Sequence, residues 1–84
     1  MFSIQWSRKA LKQLLRFPLK DRRNISAAVD DLSTWPDCAN VIHLKKHTYP
    51  YRLRVGRYRV FFEVDKKIKL VAVEEVKKRD ERSY

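Results

Sequence analysis

Arg52, Arg54 and Arg59 are the residues whose type and spacing can do chemistry in this chain. They lie in the segment Tyr51-Arg52-Leu53-Arg54-Val55-Gly56-Arg57-Tyr58-Arg59-Val60-Phe61-Phe62, which reads as two strands joined at Gly56-Arg57. A two-residue turn with glycine first suits a type II′ hairpin. That turn pairs Val55 with Tyr58, Arg54 with Arg59, Leu53 with Val60 and Arg52 with Phe61. One face then carries Leu53, Val55, Tyr58, Val60 and Phe62 and belongs to a core. The other carries Arg52, Arg54, Arg59 and Phe61. Like charges directly opposite on a sheet are destabilising, so a face that sets Arg54 against Arg59 is suited to an anion. Guanidinium groups hold phosphate bidentately, and Phe61 among them offers a ring to stack on a base.

The overall charge agrees. Twenty Lys and Arg against ten Asp and Glu give +10 over 84 residues. No acidic residue occurs from Cys38 to Phe62, a stretch that holds Lys45, Lys46, Arg52, Arg54, Arg57 and Arg59. A domain so charged points to a polyanion or an acidic protein partner, with phosphate contacts supplying most of the affinity for nucleic acid. Lys45, Lys46 and His47, next to the arginine face, are further candidates for RNA contact. His43, within a strand, reads as structural, and Asp30-Asp31 and Glu74-Glu75 read as solvated charges.

Other chemistries lack their signatures. There is no glycine-rich phosphate loop and no paired-ligand metal motif, so no metal or cofactor is expected. Cleavage of RNA needs neither. The substrate's own 2′-OH attacks the adjacent phosphate, while the protein assists proton removal, stabilises added negative charge and protonates the leaving 5′-oxygen. Arginines suit the second task, and serve poorly in proton transfer because they stay protonated. His47 and Tyr84 are the other candidates for moving a proton.

The elements that must position these residues are short. Residues 2–6 alternate as a half-buried strand. Ser7 stands at an N-cap position before a short amphipathic helix with Leu11, Leu14 and Leu15 on its apolar stripe. Phe17-Pro18 interrupts it, and Pro18 opens a second helix in which Ile25, Ala28, Val29 and Leu32 recur until Trp35-Pro36. The period then changes to two, predicting strands over 41–46, 51–55, 58–64 and 68–73, with a turn over 65–67. The expected architecture is one α+β domain over 1–84, ordered β-α-α-β-β-β-β, with two antiparallel helices on one face of a small twisted antiparallel sheet. Eighty-four residues leave room for one modest core. The lone Cys38, with no partner for a disulfide or a zinc site, fits a reducing compartment. With no signal peptide and no apolar run near the ~20 residues that span a bilayer, the expectation is a cytoplasmic chain with no membrane partner.

The order of elements, the arginine hairpin and the ending Val76-Lys77-Lys78-Arg79-Asp80-Glu81-Arg82-Ser83-Tyr84 resemble the RelE branch of the RelE/ParE toxins. The resemblance covers nearly the whole chain. It implies the toxin of a type II toxin–antitoxin pair, a metal-independent, ribosome-dependent endoribonuclease (mRNA interferase) that inhibits translation by cutting mRNA in the A site. By similarity, Arg52 and Arg59 hold the scissile phosphate, Arg54 stands where the family has a lysine base, Arg79 serves the leaving oxygen, and Tyr84 stacks on or orients a base. The implied partners are mRNA, the 70S ribosome and an acidic antitoxin, in assemblies up to a heterotetramer. A ParE-like inhibitor of DNA gyrase and a non-catalytic RNA-binding homologue are the alternatives within the same fold.

Overall fold

A computed structural model describes residues 1–79. The chain runs β1 (Ser3–Trp6), α1 (Arg8–Leu14), α2 (Leu19–Asp30), a 3₁₀ turn (Asp31–Thr34), β2 (Val41–His43), β3 (Tyr51–Val55), β4 (Tyr58–Asp65) and β5 (Leu70–Lys78). All five strands form one sheet in the order β1-β5-β4-β3-β2. The four later strands make an antiparallel meander, and β1 joins its β5 edge in parallel, so the sheet of this α+β fold is mixed. The two helices carry the chain from β1 at one edge to β2 at the other.

Ser7 fastens the start of α1 to the sheet. Its hydroxyl oxygen accepts from the Ala10 amide at 3.0 Å and donates to the Glu74 carbonyl at 3.0 Å, while its own amide donates to the Val73 carbonyl at 2.8 Å. Gln13 adds a second tie, its Oε1 accepting from the Val76 amide at 2.6 Å. Capping and cross-link share one oxygen, so Ser7→Ala is expected to lower stability by about 1–2 kcal/mol. The urea midpoint measures this, and an unchanged midpoint refutes it.

α2 follows Pro18, whose fixed φ of −56° suits the approach to a first helical turn. Its apolar stripe continues past the helix: Ile25 and Val29 are buried on α2, whereas Leu32 enters the core from the 3₁₀ turn. With these residues and Ala10 pack Leu53, Tyr58, Val60, Phe62, Val71, Val73 and Val76 from the sheet. Trp35 closes one end, its ring edge-on to Tyr51 and Phe62 with centroids 4.6 Å and 5.9 Å away. At the other end Phe17 tilts against Tyr58 at 4.6 Å, and the Tyr58 hydroxyl donates to Asp21 Oδ2 at 2.6 Å.

Two strands depart from their expected bounds by more than one residue, each for a local reason. β2 stops at His43, and Lys46 turns left-handed with φ 54°, which no strand accommodates. β5 continues to Lys78 because a bulge interrupts its alternation. Phe62 pairs with Val73 but Phe61 with Glu75, leaving Glu74 as the extra residue. Val76 is therefore buried although it breaks the period of two set by Val71 and Val73. Its start moves to Leu70, after Lys69 with φ 52°.

Candidate nucleic-acid interface

The hairpin has the register that its turn demands: Val55 opposite Tyr58, Arg54 opposite Arg59, Leu53 opposite Val60 and Arg52 opposite Phe61. Gly56 takes φ 56°, the left-handed value needed at the first turn position. Leu53, Val60 and Val76 are buried beneath the helices, so the alternate positions of β3, β4 and β5 face the other way. Two rows cross that open face. One is Arg54–Arg59–Lys77, three cations side by side; the next is Ile42–Arg52–Phe61–Glu75.

Arg52, Arg54, Arg59 and Arg79 meet around a cavity of about 250 Å³, also bounded by Gly56 and Tyr58. Arg79 follows β5, and its amide donates to the Arg57 carbonyl, tying it to the hairpin turn. Arg52 is half-buried, and its Nε has no hydrogen-bond partner among the described residues. Burial, then the charges of Arg59 and Arg54, push its guanidinium below the usual arginine range. Among the described residues the ion pairs are Lys9–Glu75 at 3.5 Å and Lys77–Glu75 at 3.4 Å, neither of which reaches an arginine of the cavity. Among the described residues no carboxylate pairs with these four arginines, an arrangement that an anion with several oxygens would relieve.

Phe61 does not present its ring. It is only 6% exposed, covered by His47 lying nearly parallel at 5.1 Å and 8°, and flanked by Tyr49 at 5.9 Å. The expectation that Phe61 stacks directly on a base is corrected accordingly. The loop after β2 folds back over the open face because this apolar ring would otherwise be wet. Within the loop, the Leu44 amide donates to the Pro50 carbonyl at 2.7 Å and the Tyr49 amide to His47 Nδ1 at 3.1 Å. With Nδ1 accepting that bond, Nε2 is the ring nitrogen left to face outward. Lys45 and Lys46 are exposed on the same loop. His43 tilts against Tyr51 at 5.2 Å.

Glu75, read from sequence as a solvated charge, is 9% exposed. It pairs with Lys9 and Lys77 and bonds the Tyr49 phenol, whose titration burial and this carboxylate push up. Its position opposite Phe61 is invisible until the bulge at Glu74 is counted. Glu74 is itself half-buried, its carboxyl pushed up by burial and by Glu63. Burial, with Asp37 and Asp31, likewise raises the Cys38 thiol, which argues against a nucleophile there. No group of three or more metal-ligating side chains occurs among the described residues, and none of their helices is long and apolar enough to cross a membrane. Tyr84 lies outside the described residues.

No family model matches this sequence, and no curated protein matches it. Solved structures do. A chain of the archaeal RelE–RelB complex from Pyrococcus horikoshii is 26% identical with a TM-score of 0.79, over 96% of this chain and 98% of that one. A chain of the Mycobacterium tuberculosis toxin–antitoxin complex RelBE2 is 20% identical with a TM-score of 0.82, over 93% and 98%. The isolated E. coli RelE toxin is 20% identical with a TM-score of 0.79, over 99% and 88%. With the same two-helix layer on a five-stranded sheet, this chain has the fold of the RelE-type toxins.

Proposed function

We propose that this chain is the toxin of a type II toxin–antitoxin pair and an endoribonuclease that cuts mRNA in the ribosomal A site. The observation that carries the reading is the arginine cavity, with Arg54 and Arg59 directly opposed and Arg52 and Arg79 beside them. Similarity to RelE toxins and to their complexes with RelB supports a toxin role and an antitoxin partner.

In the proposed reaction the 2′-hydroxyl gives its proton to solvent water as its oxygen attacks the adjacent phosphorus, and the 5′-oxygen takes up a proton from solvent as its bond to phosphorus breaks. The products are a 2′,3′-cyclic phosphate and a free 5′-hydroxyl. Arg52 and Arg59 hold the non-bridging oxygens, whose charge grows as the phosphorus becomes five-coordinate. Arg79 serves the departing oxygen. Arg54, protonated, adds field to the same phosphate and is no ready base. Tyr84 orients a neighbouring base. Because ribosomal RNA and mRNA are polyanions, net charge and the arginine face both favour encounter with the programmed ribosome. An acidic antitoxin in the same cytoplasm would neutralise the toxin by covering Arg52, Arg54 and Arg59 or displacing Tyr84.

The test is incubation with a defined mRNA, with and without programmed 70S ribosomes, alongside Arg79→Ala. Cuts in the A-site codon that need the ribosome and vanish in the variant are the expected result. Intact mRNA under both conditions overturns the nuclease reading and favours gyrase inhibition or RNA binding without cleavage.

A further inference from the structure

We infer that the outer face of His47 is a stacking platform for one nucleobase of single-stranded RNA, an inference that rests on the RNA-binding part of the reading above. The centroids of His47, Phe61 and Tyr49 lie 5.1, 5.9 and 6.1 Å apart, a nearly equilateral triangle. Tyr49 therefore lies beside the stacked pair, about equally far from both rings. Among the described residues the ring neighbours of His47 are Phe61, stacked on it, and Tyr49, and His47 is exposed. An aromatic ring backed on one side by another and open on the other is what a base needs, because every base has a π-face.

The platform is also held still. The Tyr49 amide fixes one ring nitrogen of His47, the Tyr49 phenol is tied to Glu75, and Glu75 is anchored by Lys9 and Lys77. A ring already ordered loses little freedom when it binds. Its place on the face is apt as well. Phe61, beneath the imidazole, lies opposite Arg52 and two residues along β4 from Arg59, about 7 Å at strand spacing. A nucleotide whose phosphate sits among the arginines has a neighbouring base within reach of His47. Lys45 and Lys46 border the platform with positive charge.

The experiment uses the full chain and a short 2′-O-methyl RNA, which resists cleavage, with 2-aminopurine at successive positions and a fluorescein end label for anisotropy. The parent protein is expected to quench 2-aminopurine at one position. His47→Ala should lose that quench and bind about 10-fold more weakly, while His47→Phe should keep both. Equal quenching and affinity in His47→Ala, with the parent still binding, overturns the platform and leaves the RNA reading standing. Failure of the parent to bind the oligonucleotide, alone or on ribosomes, overturns both.

Discussion

Arg59→Ala is expected to slow the proposed A-site cleavage by about 10²–10³-fold, the usual loss when a preorganised donor to developing negative charge is removed. The same variant should be more stable than the parent. Arg59 stands between Arg54 and Lys77 in the sheet, so its charge meets a like charge on both sides. Each such pair costs roughly 0.2–1 kcal/mol, and an alanine there removes two. Cleavage and urea unfolding measured on the same preparation give the two halves of the result. A slow, destabilised variant would mean that Arg59 serves the fold, and the case for a site built against stability would fail. An active variant would remove Arg59 from the chemistry.

Phe62→Ala should have the largest effect on the fold, a loss of about 3–5 kcal/mol. Phe62 is fully buried, stacked on Tyr51 at 5.5 Å and met edge-on by Trp35. A chain of 84 residues has roughly 4–13 kcal/mol of total stability at ordinary per-residue values. The variant is therefore expected to be partly or wholly unfolded at 37 °C, read from its urea midpoint and thermal melt. Ile68→Ala is the control, because Ile68 is 66% exposed and its loss should change stability by less than about 0.5 kcal/mol. Equal effects from the two substitutions would contradict the core described above.

The hairpin was legible because its rules are local. A two-residue turn with glycine first sets the register, and the period of two then decides which side chains share a face. The opposition of Arg54 and Arg59 follows from residues 51–62 alone, and so does the segregation of Leu53, Val60 and Phe62 from the arginines. The two helices are legible for a similar reason, although apolar spacing alone does not distinguish the tighter turn that delivers Leu32 from more α-helix. Tertiary structure decided what lies on the open face. Phe61 alternates onto that face, but whether its ring is open depends on a loop many residues earlier folding back to cover it. Glu75 looks solvated in the sequence and is buried because the bulge at Glu74 sets it opposite Phe61, beside Lys9 and Tyr49. Arg79 reaches the cavity only because β5 extends past its apparent end, bringing it to the hairpin turn. Periodicity reports how a strand alternates, whereas the covering of Phe61 and the burial of Glu75 are contacts between segments whose meeting no local pattern encodes.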